Sequence, residues 1–159
     1  MSKISPCLWF ATEAEDAARF YVSLLPDSRI VKVYHAPMDY PGGKRRDVLM
    51  VEFELAGASY QALNGGSELP FTNAVSFSIT CEDQAEVDRL WDALVSGGGK
   101  EVQCGWLNDR YGLPWQIVPK RMLELLGDPD PARAQRAMAA MMTMVKLDVA
   151  ALEAAAAGG

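Results

Sequence analysis

The strongest constraint in this sequence is an internal echo. Gly57, Tyr60, Gln61 and Leu63 return 55 residues later as Gly112, Trp115, Gln116 and Val118. Arg19, Phe20, Tyr21 and Leu24 return 70 residues later as Arg89, Leu90, Trp91 and Leu94. The matches are short, but they sit inside an order of elements that also repeats, so the chain reads as a duplication. A duplicated chain is expected to fold as two like modules.

The first module opens with a strand at 4–10. Thr12 is placed to cap the next helix, with Glu15 three residues on to complete a capping box. That helix, at 14–25, sets Ala17, Phe20, Tyr21, Leu24 and Leu25 on one face at the 3.6-residue period, and Pro26-Asp27 stops it. Strands follow at 29–36 and 48–55, with a flexible loop at 37–46 between them. A tight turn at 56–58 leads to a strand at 60–63, which Asn64-Gly65-Gly66 ends. After a linker at 66–72 the order begins again. Residues 74–80 alternate Val75, Phe77 and Ile79 against Ser76 and Ser78, the pattern of a half-buried strand. A helix at 84–95 carries Val87, Leu90, Trp91, Leu94 and Val95 on its apolar face, and Gly97-Gly98-Gly99 ends it. Three short strands fit within 100–119, with a turn near 108–112.

Beyond 120 the periodicity is helical: a short helix at 121–126, a second at 131–144 with Asp130 as cap and Pro131 in its first turn, and a third at 148–156. Met138, Met141, Met142 and Met144 give the second a soft apolar surface, suited to packing on a sheet or a partner subunit. The expected organisation is paired modules across 1–119, at about 4–65 and 74–119, followed by a helical extension at 120–157.

The formal charge of -6 and a pI near 4.8 argue against nucleic acid, which needs clustered Lys and Arg. The one basic run, Lys44-Arg45-Arg46, lies in the Pro/Gly loop and reads as solvated. An acidic surface would tolerate a cationic small molecule. Cys7, Cys81 and Cys104 show no CxxC spacing, so a disulfide framework is not expected and a reducing cytoplasm is. Residues 1–10 lack the pattern of a signal peptide, and no stretch approaches the ~20 apolar residues of a membrane span. No membrane partner is expected.

With Leu8-Trp9-Phe10, Ala62-Leu63-Asn64-Gly65-Gly66, Cys104-Gly105-Trp106 and Trp115-Gln116-Ile117-Val118-Pro119 set on paired βαβββ modules, the chain resembles the vicinal oxygen chelate superfamily (glyoxalase, bleomycin-resistance and dioxygenase proteins). Within it, the chain is most similar to the branch labelled "3-demethylubiquinone-9 3-methyltransferase" domain. The resemblance runs from about residue 4 to 152. It implies an α+β fold, two βαβββ modules forming curled mixed sheets with a helical C-terminal tail, each sheet cupped around a small-molecule site. In metal-dependent members the first and last strands of each module supply the ligands, usually His and Glu. Carried over by the spacing to Tyr21 and Trp91, those positions become Pro6 and Ser76 on the first strands and Gln61 and Gln116 on the last. Such neutral donors are poor ligands for a divalent transition metal. The single histidine, His35, falls at a strand end. No metal and no other cofactor is therefore expected. The label's methyltransferase chemistry finds no support either, because no strand-Gly-x-Gly-helix unit exists for S-adenosylmethionine.

The candidate ligand-binding residues are Gln61, Asn64, Ser76, Ser78, Trp106 and Gln116; no catalytic residue is identified. The amides and hydroxyls would orient a ligand and the aromatic would add apolar area. Gln61 and Gln116 equally suit the satisfaction of buried strand carbonyls, and Trp106 and Trp115 read as core. Cys81 and Cys104 read as inert, since no His stands near in sequence to act as base. Glu52 and Glu54 make one strand face acidic, read first as solvated and alternatively as meeting a cationic ligand. The leading expectation is a metal-free small-molecule-binding homodimer; the alternative is an enzyme on the same scaffold, of lyase, isomerase or dioxygenase type with an atypical site.

Overall fold

The computed structural model describes residues 2–159, and the chain divides between Pro70 and Phe71 into two compact units. The first runs β1 (Cys7–Phe10), α1 (Ala14–Val22), β2 (Arg29–His35), β3 (Val48–Leu55) and β4 (Ala58–Asn64). These strands form one open sheet in the order β1-β4-β3-β2, with β1 parallel to β4 and the other pairs antiparallel. Alternation sends Val51, Phe53 and Leu55 of β3 into the core, while Glu52 and Glu54 look the other way. The helix covers the apolar face with Ala14, Ala17, Ala18 and Tyr21, all fully buried. Small alanines let it lie close to the sheet, and Tyr21 meets Phe53 at a ring separation of 6.4 Å. The hairpin between β3 and β4 turns on Ala56 and Gly57, whose φ angles of 46° and 81° suit a two-residue primed turn.

Two local expectations fail here. The helix ends at Val22 rather than 25, and no capping box forms: Glu13 holds the cap position without a side-chain bond to the helix. Instead Asn64 reaches across from β4, and its Oδ1 accepts the Ala14 N–H at 2.9 Å. A buried amide from a distant strand has taken the place of the local hydroxyl.

The second unit repeats the plan with β5 (Phe77–Cys81), α2 (Gln84–Val95), β6 (Lys100–Glu101), β7 (Trp106–Asn108) and β8 (Pro114–Pro119). Its sheet is ordered β5-β8-β7-β6, with the first pair parallel, which is the topology of the first unit again. The expectation of duplicated βαβββ modules holds at the level of strand order. Asp83 caps α2 by accepting the Glu86 N–H, and Val87, Leu90, Trp91 and Leu94 are buried. Val75 does not join the apolar strand face; it lies ahead of β5 and is 68% exposed.

The extension forms α3 (Lys120–Leu126), α4 (Pro131–Met141) and α5 (Val149–Ala157). Asp130 and Asp148 cap the last two. Val118 of β8 joins Met122, Leu125, Ala137, Leu147, Leu152 and Ala156 in a second apolar cluster, so the extension is packed onto the sheet's last strand. Helix α4 stops three residues short of the expected end because Met144 and Val145 are committed elsewhere. Their carbonyls accept the N–H groups of Cys104 and Gly105 at 2.8 Å each. Both turn residues have positive φ, 58° and 81°, which is what points the two N–H groups outward together. Gln84 completes the anchor, donating to the Leu147 carbonyl and accepting the Val149 N–H.

Candidate functional site

Four of the six candidate residues come together, and they do so on the second sheet. Every residue of β8 is buried except Gln116, which is half-buried. Ser78 on β5 and Trp106 on β7 lie directly opposite it in register, so the three share one face. Ser76 lies two residues before Ser78 on the same side, and its Oγ accepts from Gln116 Nε2 at 2.9 Å. Asn108, two residues beyond Trp106, extends the same row. Its Oδ1 is buried and has no hydrogen-bond partner among the described residues. Asn108 was not singled out from the sequence, where nothing distinguishes it from an ordinary turn residue.

Trp115, by contrast, faces the core. It is 1% exposed, packs edge-on against Phe77 at 5.2 Å, and donates its indole N–H to Asp109 Oδ2. Asp109 also accepts the N–H groups of Tyr111 and Leu113 through Oδ1, so one buried carboxylate shapes the whole turn at 109–113.

On the first sheet, Gln61 pairs in register with Cys7 on one side and Glu52 on the other, and Glu52 with Lys32 beyond. The sequence spacing had placed Pro6 and Ser76 beside the glutamines. The register places Cys7 and Ser78 there, and Pro6 contributes only its carbonyl, which accepts the Gln61 N–H. Cys7 is one residue beyond Pro6 and Ser78 two beyond Ser76, the second shift being larger because Ala14 and Gln84 open their helices 70 residues apart whereas Cys7 and Ser78 are 71 apart. Asn64 stands apart from this row. It is 6% exposed, with Oδ1 on the Ala14 N–H and Nδ2 donating to the Val48 carbonyl, so both ends of its amide serve the backbone.

These residues do not fit a divalent transition metal. The first-strand positions next to the glutamines offer one thiol and one hydroxyl, Gln61 has the single carboxylate of Glu52 on its other side, and among the described residues no three His, Cys, Asp or Glu side chains gather as a ligand set. Desolvation pushes the Cys7 thiol above its ordinary value, which disfavours the thiolate a metal would need. His35 is exposed, its Nδ1 2.9 Å from the Arg46 carbonyl oxygen. The three cysteines are free. Cys81 is fully buried, and burial together with Glu86 drives its pKa to about 12, which leaves it a small apolar group.

Comparison with known proteins follows the fold. Residues 2–118 match the family model described as 3-demethylubiquinone-9 3-methyltransferase. A PhnB protein from Bacillus cereus, given a provisional 3-demethylubiquinone-9 3-methyltransferase assignment, is 32% identical; the match covers 74% of this chain and 99% of that one, with a TM-score of 0.67. Protein PA1353 from Pseudomonas aeruginosa is 18% identical over 75% of this chain and 98% of its own, with a TM-score of 0.61. A glyoxalase/bleomycin resistance protein from Albidiferax ferrireducens T118 is 12% identical, over 75% of this chain and 99% of its own, at a TM-score of 0.49. The curated proteins contain no match to the sequence.

Proposed function

The chain belongs to the family described as 3-demethylubiquinone-9 3-methyltransferase, and on that fold we propose that it is a metal-free small-molecule-binding protein whose contacts lie on the open face of the second sheet. The observation that carries this reading is the unspent hydrogen-bonding capacity there. A half-buried Gln116 is held in one orientation by Ser76, with Ser78 and Trp106 beside it and the orphaned Oδ1 of Asn108 in the same row. A buried acceptor without a donor costs about 1–3 kcal/mol, and turning the Asn108 amide out to a ligand N–H or O–H would relieve that cost. A few placed polar groups beside an aromatic side chain are the usual composition of a ligand site. On the first sheet, taken by itself, Gln61 offers an amide of its own, and Asn64, whose amide is already bonded at both ends, would serve there only as a support.

The methyltransferase activity in the family's description is not the reading adopted. Each sheet contains a single parallel pair among antiparallel neighbours, whereas nucleotide-type cofactors sit at the strand ends of a doubly wound parallel sheet. Among the described residues no helix is long and apolar enough to cross a membrane. Free cysteines agree with a reducing, cytoplasmic setting.

The test is a fragment titration followed by NMR. Planar compounds bearing N–H or O–H donors should shift the Trp106 indole and Gln116 amide signals, and Gln116→Leu should weaken them about tenfold. A fragment set that leaves both signals unmoved sinks the reading. Stoichiometric Ni, Zn, Mn or Fe in protein purified without chelator would overturn its metal-free part, and tight S-adenosylmethionine binding by calorimetry would restore the family description. We also propose a homodimer, because the open sheet edges and the exposed Leu123, Met138 and Met142 of the extension suit a second copy. Sedimentation at micromolar concentration should show twice the 17.3 kDa chain mass; a lone 17.3 kDa species refutes it.

A further inference from the structure

The two carboxylates on the open face of β3 have different fates. Glu54 is held by Arg29, whose Nε donates to Oε2 at 2.7 Å. Glu52 is half-buried and has no cation within ion-pair distance among the described residues. Lys32 stands opposite it in register, but its ammonium is turned along β2 onto the Tyr34 ring, 4.4 Å from the centroid. Glu52 therefore keeps an uncompensated charge beside a small cavity.

That cavity measures about 10 Å³, and Glu52, Phe53, Ser59, Tyr60 and Gln61 line it. Space of roughly 10–15 Å³ admits one water-sized group. Its polar lining offers a carboxylate, a side-chain carbonyl from Gln61 and a hydroxyl from Ser59. Register sets Glu52, Gln61 and Ser59 on one face, whereas Phe53 and Tyr60, stacked at 5.6 Å, pair on the opposite, core-facing side, so neither ring is turned toward Glu52. An alkylammonium group has three N–H donors and no acceptor. It is drawn to a carboxylate. A carboxylate or phosphate would be repelled by Glu52. A hydroxyl could donate only one bond to three waiting acceptors.

We infer that this cavity is a subsite for the ammonium group of a primary amine, with Glu52 as the anchoring charge and Gln61 and Ser59 as further acceptors. The inference rests on the small-molecule-binding reading and names the class of ligand. Only the ammonium head enters so small a space, so the rest of the amine lies along the open sheet face.

The experiment compares benzylamine, benzyl alcohol and benzoate by calorimetry on the full chain and three variants, Glu52→Gln, Glu54→Gln and Gln116→Leu. Benzylamine is expected to bind about tenfold more tightly than benzyl alcohol, and benzoate least. The preference should persist in Glu54→Gln, whose carboxylate is already paired, and vanish in Glu52→Gln. Equal binding of amine and alcohol, no amine binding at millimolar concentration, or a preference that survives Glu52→Gln would each overturn the inference. Gln116→Leu separates the two readings. If it leaves all binding unchanged while the Glu52-dependent preference holds, the second-sheet site fails and the amine subsite stands.

Discussion

At the scale of single residues, buried polar groups decide more than the apolar ones do. Asp109 is 2% exposed and tied to Tyr111, Leu113 and Trp115. Asp109→Asn puts an amide donor where Oδ2 accepts the Trp115 N–H, and should cost about 2 kcal/mol, read as a lower urea midpoint. Cys81 gives a chemical test. Its thiol should resist a disulfide reagent in the folded protein and react only on unfolding, whereas the exposed Cys7 should react in the folded protein, though more slowly than a free thiol because its raised pKa leaves less thiolate. Cys81 also ties stability to alkaline pH. Its folded pKa, about 12, lies above the ordinary thiol value of 9.0. Its contribution is therefore complete below pH 9 and is lost progressively as the pH rises from 9.0 toward 12. Cys81→Ala should flatten that part of the stability profile.

At the scale of elements, the helical extension is fastened at two places. One is Gln84, bonded through both ends of its amide to Leu147 and Val149. Gln84→Leu would leave a carbonyl and an N–H unpaired, and hydrogen exchange around 147–149 should speed by about tenfold or more. Gln84→Glu keeps the acceptor for Val149 and should fall between the two. The other fastening is the Cys104-Gly105 turn. A side chain at Gly105 would come 2.9 Å from Leu147 Cδ1, and φ there is already 81°. Cys104, at φ 58°, bears the strain of a non-glycine in the left-handed region. Cys104→Val should destabilise by more than about 1 kcal/mol because a β-branched side chain fits that region worst, while Cys104→Gly should unfold at nearly the same urea concentration as the parent.

At the scale of the molecule, acidification acts on four surface carboxylates. The backbone N–H of Arg45 and the Lys44 ammonium lower Asp39; the Arg29 guanidinium lowers Glu54; the Gln84 amide and Lys146 lower Asp88; the Asp130 N–H and Arg133 lower Asp128. A depressed folded pKa stabilises above the unfolded value and is lost as pH falls through the folded one. Stability should therefore hold above about pH 4.5 and decline below it, followed as the thermal midpoint from pH 6 to 2.5. Asp39 is exposed and the other three partly so, so each contributes little alone and less at high salt. A profile that stays flat to pH 2.5 contradicts the assignment.

The duplicated order of elements was legible in the sequence because strand alternation and helical period are local, and each apolar face has to be covered by something. Gln61 and Gln116 could be found because they stand at the same place in each repeat. What lay beside them could not. Strand pairing set Cys7 and Ser78, one and two residues further on, in the positions that the spacing had given to Pro6 and Ser76, and the second shift is larger because its strand-to-helix connection is one residue shorter. Asn64 looked like a ligand contact and Thr12 like a cap until the pairing of β1 with β4 brought Asn64 to the start of α1. The sequence alone could not separate Glu52 from Glu54. Only the tertiary fold did so, by setting Arg29 against one and leaving the other beside a cavity. Alternation fixes which face a strand residue takes, but its neighbour on the next strand depends on register and loop length, and those are settled when the whole sheet closes on its core.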